Sequence, residues 1–194
     1  STSSPTLKNL KIISNIGGVG GGIFCFGSAK PQLYDVIIMN NSAINSGGGI
    51  YCENNAEIRL ERVTVSENVS NQTGGGIFLK SSTQANLLDV TIDGNTAVSF
   101  GAGIYCATNS RLHLENSLIT GNESDQDGGG IYVSDSCIVT LIQDTLLGNN
   151  GDFGGGIYCD LNSDLTVSLC SIEDNVAEFW GGGMYLYQTT ASIK

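Results

Sequence analysis

The residues with chemical potential are few. His113 is the single histidine, and the strong bases Arg59, Arg62 and Arg111 are the only arginines. A polysaccharide lyase needs a base to abstract a proton beside a carboxylate, commonly with Ca²⁺ held by several acids. Neither an acidic cluster matched to these bases nor the paired aspartates and GHG-like histidine of a polygalacturonase-type hydrolase occur. The six cysteines form no CxxC pair and find no second histidine, so a zinc site is not expected. The glycine triplets are not followed by the GxxxxGK[ST] pattern that cradles phosphate. No catalytic residue, cofactor or metal ligand set is therefore expected.

What the sequence does contain is a repeat. GGGI or a close variant begins at Gly20, Gly47, Gly74, Gly101, Gly128, Gly154 and Gly181, at intervals of 27 residues with a single 26. Counting from the first glycine, position four is Ile23, Ile50, Ile77, Ile104, Ile131, Ile157 and Met184. Position fourteen is Leu33, Leu60, Leu87, Leu114, Leu141 and Val167, and position nineteen is Ile38, Val65, Ile92, Ile119, Leu146 and Ile172. Apolar and polar residues alternate, as in Arg111-Leu112-His113-Leu114, which is the period of a strand. No sustained helical stripe is present.

Three short strands per repeat with columns in register predict an all-β right-handed parallel β-helix. Right-handed winding is the usual hand of parallel crossovers. About seven rungs at the usual interstrand spacing make a rod roughly 35 Å long. Residues 1–194 read as one solenoid segment, with 1–19 a partial leading rung and 181–194 a partial trailing one. The segment reads as an excerpt of a longer solenoid, with any export signal outside it, because Ser1 to Lys11 lacks an apolar core. Propeller blades need longer repeats, and the LxxLxLxxN of a leucine-rich horseshoe is absent.

Two columns stand out. Position twenty-two is always asparagine: Asn41, Asn68, Asn95, Asn122, Asn149 and Asn175, preceded by Asn15. A corner ladder of paired amides is expected there, since buried polar groups must be satisfied. Asn68 and Asn122 begin glycosylation sequons but lie in this ladder, whereas Asn40 and Asn71 begin sequons outside it. Position five is aromatic throughout: Phe24, Tyr51, Phe78, Tyr105, Tyr132, Tyr158 and Tyr185. Alternation turns these rings outward. They form either an apolar contact stripe for a partner chain or sugar, or a cover that stacks upon itself over the glycine columns. Phe100, Phe153, Phe179 and Trp180 precede glycines and can pack on the same corner.

Position six holds Cys25, Cys52, Cys106 and Cys159, interchanged with leucine and valine, so these cysteines are expected as free buried thiols. Cys25 and Cys52 lie on adjacent rungs in a geometry that strains a disulfide, while Cys137 and Cys170 have no evident partner. Asp144 takes a position that is valine in earlier repeats, and an outward-turning bulge is expected there.

Net charge is −11, with eight Lys plus Arg against 19 Asp plus Glu. No cationic patch exists to release counterions from nucleic acid, and no apolar run is long enough to span a bilayer as a helix. The partners expected are other protein chains, copies of itself, or surface glycans.

The pairing of GGGI with [IVL]xxN, as in Gly47-Gly-Gly-Ile50 and Val65-Ser-Glu-Asn68, resembles the polymorphic outer-membrane protein repeats with their GGA[IL] and FxxN tetrapeptides. The likeness runs from Asn15 onward. The aromatic of FxxN is aliphatic here, and no membrane barrel is expected within residues 1–194. Similar glycine–asparagine repeats occur in large secreted proteins of eukaryotic microbes. The resemblance implies an extracellular or cell-surface β-helix with an adhesive, scaffold or filament role. A polysaccharide-binding or polysaccharide-degrading β-helix is the alternative.

Overall fold

The computed structural model describes residues 3–194. Every strand is parallel to its neighbours, and each repeat closes one turn of a coil. The register is that of the repeat: Ile50 pairs with Ile77, Leu60 with Leu87, and Val65 with Ile92. Among the described residues there is no helix.

Four sheets run along the coil rather than the expected three. One contains the strands after the glycines, such as Ile50–Glu53, and the second contains Glu57–Glu61 and its equivalents. The third stacks Thr64–Ser66 with its equivalents. The fourth is built from pieces as short as Val69–Ser70, just beyond the asparagine column. Two residues are too few to show alternation, so a sequence pattern cannot reveal such a strand.

The coil turns where the backbone enters the left-handed region. Asp35, Arg62, Asp89, Asn116, Gln143 and Leu169 do so before one corner, and Asn40, Glu67 and Asp174 before another. A third corner, between the first and second sheets, turns through left-handed pairs such as Asn54 and Asn55, and at the fourth glycines divide two tasks. The first of each triplet has positive φ, +70° at Gly47 for example. The third has ordinary φ but no room: a Cβ on Gly103 would lie 2.4 Å from the Gly130 carbonyl oxygen.

The interior is one continuous apolar column. Leu33, Ile38, Ile50, Leu60, Val65, Leu87 and Leu114 are fully buried, each beneath a like residue from the next rung. All six cysteines are free thiols. Five are buried; Cys137 and Cys170 form no disulfide, as expected, and make non-covalent contacts, Cys137 with Cys106 across one rung and the Cys170 sulfur accepting the Asp144 amide proton at 3.4 Å.

Asp144 corrects another expectation. It is 1% exposed with the register unbroken around it, so no bulge turns it outward. Its carboxylate accepts the Ser117 amide at 2.7 Å and the Ile142 amide at 2.9 Å. Ser117 does the same for Val90 one rung earlier, at 3.1 Å. This corner therefore accommodates any short acceptor, and a polar side chain satisfies backbone donors that valine leaves alone.

Candidate functional site

The asparagine column forms an internal ladder. Asn68 Nδ2 donates to Asn95 Oδ1 at 2.9 Å and to the Ile38 carbonyl at 3.0 Å. The Asn68 backbone amide donates to the same Oδ1 at 3.0 Å. The pattern repeats from Asn15 through Asn41, Asn95, Asn122 and Asn149 to Asn175. Each interior amide thus has two donors and two acceptor positions filled, which removes the cost of burying it. Asn68 and Asn122 are wholly buried, so their sequons offer no side chain to a sugar, whereas Asn40 and Asn71 are exposed.

The aromatic column is outward but not an open stripe. Tyr51, Phe78 and Tyr132 are buried within the single chain, while Tyr105, Tyr158 and Tyr185 are half-buried and Phe24 is 49% exposed. The rings cover one another: Phe78 stacks on Tyr105 with centroids 4.8 Å apart, and Tyr132 on Tyr158 at 4.5 Å. The Cβ atoms of Tyr51, Phe78, Tyr105 and Tyr132 abut the first glycine of their triplets, and Val19 and Ala107 complete a small apolar cluster outside the main core. An exposed contact stripe made of all seven rings is therefore ruled out. What closes it is the corner loop lying beside the sheet, which alternation alone does not register. Phe100 joins the column 4.9 Å from Tyr132, and Phe153 lies 5.5 Å from Tyr185.

A model of the right-handed β-helix region matches residues 1–154 and again 73–194, spanning the chain between them. The chain belongs to the right-handed β-helix family. Neither the curated proteins nor the solved structures provide a match. Within this β-helix the outward side chains are what remain for function.

The outer face of the second sheet collects cations. Shallow hollows of about 290, 420 and 190 Å³ lie along it; Asn86 lines all three, Arg59 the first and third, and His113 the second and third. Most of its charges are neutralised locally. Lys30 pairs with Glu57, Arg59 with Glu61, and Arg62 with Glu61 and Asp35. The Arg62 guanidinium holds the Asp35 and Glu61 carboxyls below the usual carboxylate range. His113 lies 3.8 Å from Glu115, and Arg111, exposed, has no ion-pair partner among the described residues.

The later rungs differ sharply in charge. Residues 112–193 contain no lysine or arginine and twelve of the nineteen carboxylates. Burial raises the Asp127 carboxyl to about 6, aided by Asp152, and raises Asp160 as well. Asp160 is 7% exposed, lies beside the Tyr158 hydroxyl, and leaves its Oδ1 without a hydrogen-bond partner. No metal-holding group of three His, Cys, Asp or Glu side chains occurs among the described residues.

Proposed function

We propose that the chain is a non-catalytic β-helical shaft of an extracellular or cell-surface protein, acting as an adhesin stalk, surface scaffold or filament subunit. The observation that supports this reading is the unbroken asparagine ladder from Asn15 to Asn175, with three of the four sheets in register throughout and the fourth shifted only between Gly151 and Phe153. Such a column resists bending and leaves long lateral faces for contacts with other chains, copies of itself or glycans. Catalytic β-helices build clefts from long inserted loops, whereas here the spacing departs from 27 residues only once, by one. The likeness to polymorphic outer-membrane protein repeats points the same way.

The experiment is to display the purified segment on beads and measure attachment to cells and to immobilised glycans. Retention of a rod-like scattering profile alongside attachment supports the shaft. Turnover of a soluble polysaccharide, seen as new reducing ends or an unsaturated product, would overturn the non-catalytic reading.

The face bearing Arg59, Arg111 and His113 favours a second reading, binding or cleavage of an acidic polysaccharide along the axis. Arg111→Ala is the test. Loss of polyuronate binding or cleavage supports this alternative, and unchanged behaviour removes it.

A further inference from the structure

Tyr132 and Tyr158 hold the same repeat position on consecutive rungs, and their strands pair in register. Their rings stack almost parallel, with centroids 4.5 Å apart and planes 4° apart. Among the described residues no other tyrosine pair stacks this closely. Tyr105 meets Tyr132 edge-on at 86°, and the Tyr158–Tyr185 stack is wider, at 5.2 Å and 26°. The close pair is internal to the coil, with Tyr105 before it and Tyr185 after it. Tyr132 is 8% exposed and Tyr158 is half-buried, so a reagent in solution reaches the stack through Tyr158.

A proton acceptor accompanies the pair. Asp160 follows Tyr158 by two residues, on the same side of the chain, and lies beside its hydroxyl. This carboxylate is buried, and its Oδ1 has no hydrogen-bond partner. Burial raises its affinity for a proton and so makes it a stronger acceptor. Glu53 stands beside Tyr51 in a similar way, but the rings on either side of Tyr51 are Phe24 and Phe78. Tyr158 has both the carboxylate and a second phenol stacked on it.

We propose that Tyr132 and Tyr158 are a site of oxidative cross-linking, joined ring to ring when a peroxide-driven peroxidase oxidises Tyr158. A phenol yields an electron most easily as its proton leaves, and a positioned base assists that transfer. Asp160 takes the Tyr158 hydroxyl proton while the oxidant takes the electron, which leaves a neutral tyrosyl radical. A second oxidation removes an electron and the hydroxyl proton from Tyr132. The two radicals couple at carbons ortho to their oxygens, and the proton on each of those carbons moves to its own ring oxygen. The balance is two C–H bonds broken, one C–C bond formed, and one hydrogen peroxide reduced to two waters. The product is a covalent staple between consecutive rungs. The inference rests on the stack and not on the shaft reading, whose attachment assay it leaves untouched.

The experiment treats the whole folded chain, at low concentration, with a haem peroxidase and hydrogen peroxide. The expected product is a monomer lighter by the two hydrogens lost, with the blue emission of linked phenols. Peptide mapping is expected to show Tyr132 joined to Tyr158. Tyr132→Phe and Tyr158→Phe, conservative because Phe24 and Phe78 share their column, are each expected to abolish that product. Asp160→Asn keeps the shape and removes the base, and is expected to slow coupling roughly tenfold or more. Tyr51→Phe is expected to change nothing. Far-ultraviolet circular dichroism checks that each variant keeps its sheets. Three results would overturn the inference: links only between chains, a link from Tyr158 to Tyr185 in place of Tyr132, or an undiminished rate in Asp160→Asn.

Discussion

Asn95 and Asn122 are joined twice across a single rung. Asn95 donates both its backbone amide, at 3.0 Å, and its side-chain Nδ2, at 2.9 Å, to Oδ1 of Asn122. Asn95 meanwhile accepts the same pair of bonds from Asn68 and donates to the Val65 carbonyl. Side-chain truncation therefore strands donors on Asn68 and an acceptor on Val65 at a wholly buried site. Asn95→Ala is expected to destabilise the fold by about 3 kcal/mol or more, since each unsatisfied buried group costs roughly 1–3 kcal/mol. Asn95→Asp is expected to be worse at neutral pH, because one carboxylate oxygen then faces the Val65 and Asn122 oxygens. Chemical denaturation of the variants measures both, and Asn95→Asp should recover part of its loss as the solution is acidified. An unchanged midpoint for Asn95→Ala would mean that the ladder contributes no net stability.

The glycine triplets allow a sharper comparison. A Cβ on Gly75 would meet the Thr96 oxygen at 2.4 Å and the Ala102 oxygen at 2.6 Å, yet the equivalent position one rung on is Ala102, buried and accommodated. The third position holds glycine in all seven triplets, and a Cβ on Gly103 would lie 2.4 Å from the Gly130 oxygen and 3.2 Å from the Asn122 amide. Gly75→Ala is thus expected to be the milder change. Gly103→Ala is expected to cost about 1–3 kcal/mol through overpacking against the ladder. Thermal melts of the two variants decide the order, and equal losses would count against the ladder contact as the cause.

The sequons divide by burial. Expressed through a eukaryotic secretory pathway, the chain is expected to carry glycans at Asn40 and Asn71 and none at Asn68 or Asn122, whose side chains are sealed in the ladder. Peptide mapping after enzymatic deglycosylation reads all four sites. Occupancy at Asn68 would require the ladder to form after modification.

Much of this architecture is legible in the residues, and the reasons for the gaps are physical. The stacks Ile50–Ile77 and Leu60–Leu87 follow directly from the 27-residue register, because parallel coils place equal repeat positions on top of each other. The amide ladder follows from seven asparagines at one corner. Burial of Tyr51 and Phe78 does not follow, since strand alternation assigns a face of the sheet and not what lies over that face. Their cover comes from the corner loop near Val19 and from neighbouring rings. The missing residue before Gly154 is visible as a 26-residue interval, but the register shift that absorbs it within the fourth sheet is not. The buried place of Asp144 does not follow from the valines earlier in its column, which suggest an apolar wall, whereas Ser117 and Cys170 mark a row of acceptors for backbone amides.

That same aspartate sets a pH dependence. Burial raises the Asp144 carboxyl to about 6, against an ordinary 3.8, although the Ser117 and Ile142 amides and His113 favour its charge. Glu115 and the Cys170 sulfur are the remaining polar neighbours, and Glu115 opposes ionisation. The folded chain holds this proton more tightly than the unfolded chain does, so folding takes up a proton between about pH 4 and 6. Its contribution to stability is fully present below the unfolded value and is lost as pH rises through 6. The difference corresponds to at most about 3 kcal/mol for this buried group. Asp127, raised to about 6, and Asp160, also raised, act in the same direction. The unfolding midpoint is therefore expected to rise when the pH is lowered from 7 to about 5. Asp144→Ser keeps an acceptor for the Ser117 amide, as Ser117 itself provides one for Val90, and removes the ionisation. It is expected to be more stable than the parent at pH 7 by about 1–2 kcal/mol, with a shallower pH slope. A parent protein that loses stability steadily from pH 7 to 5, or a serine variant with the same slope, would show that Asp144 ionises without penalty in the folded chain.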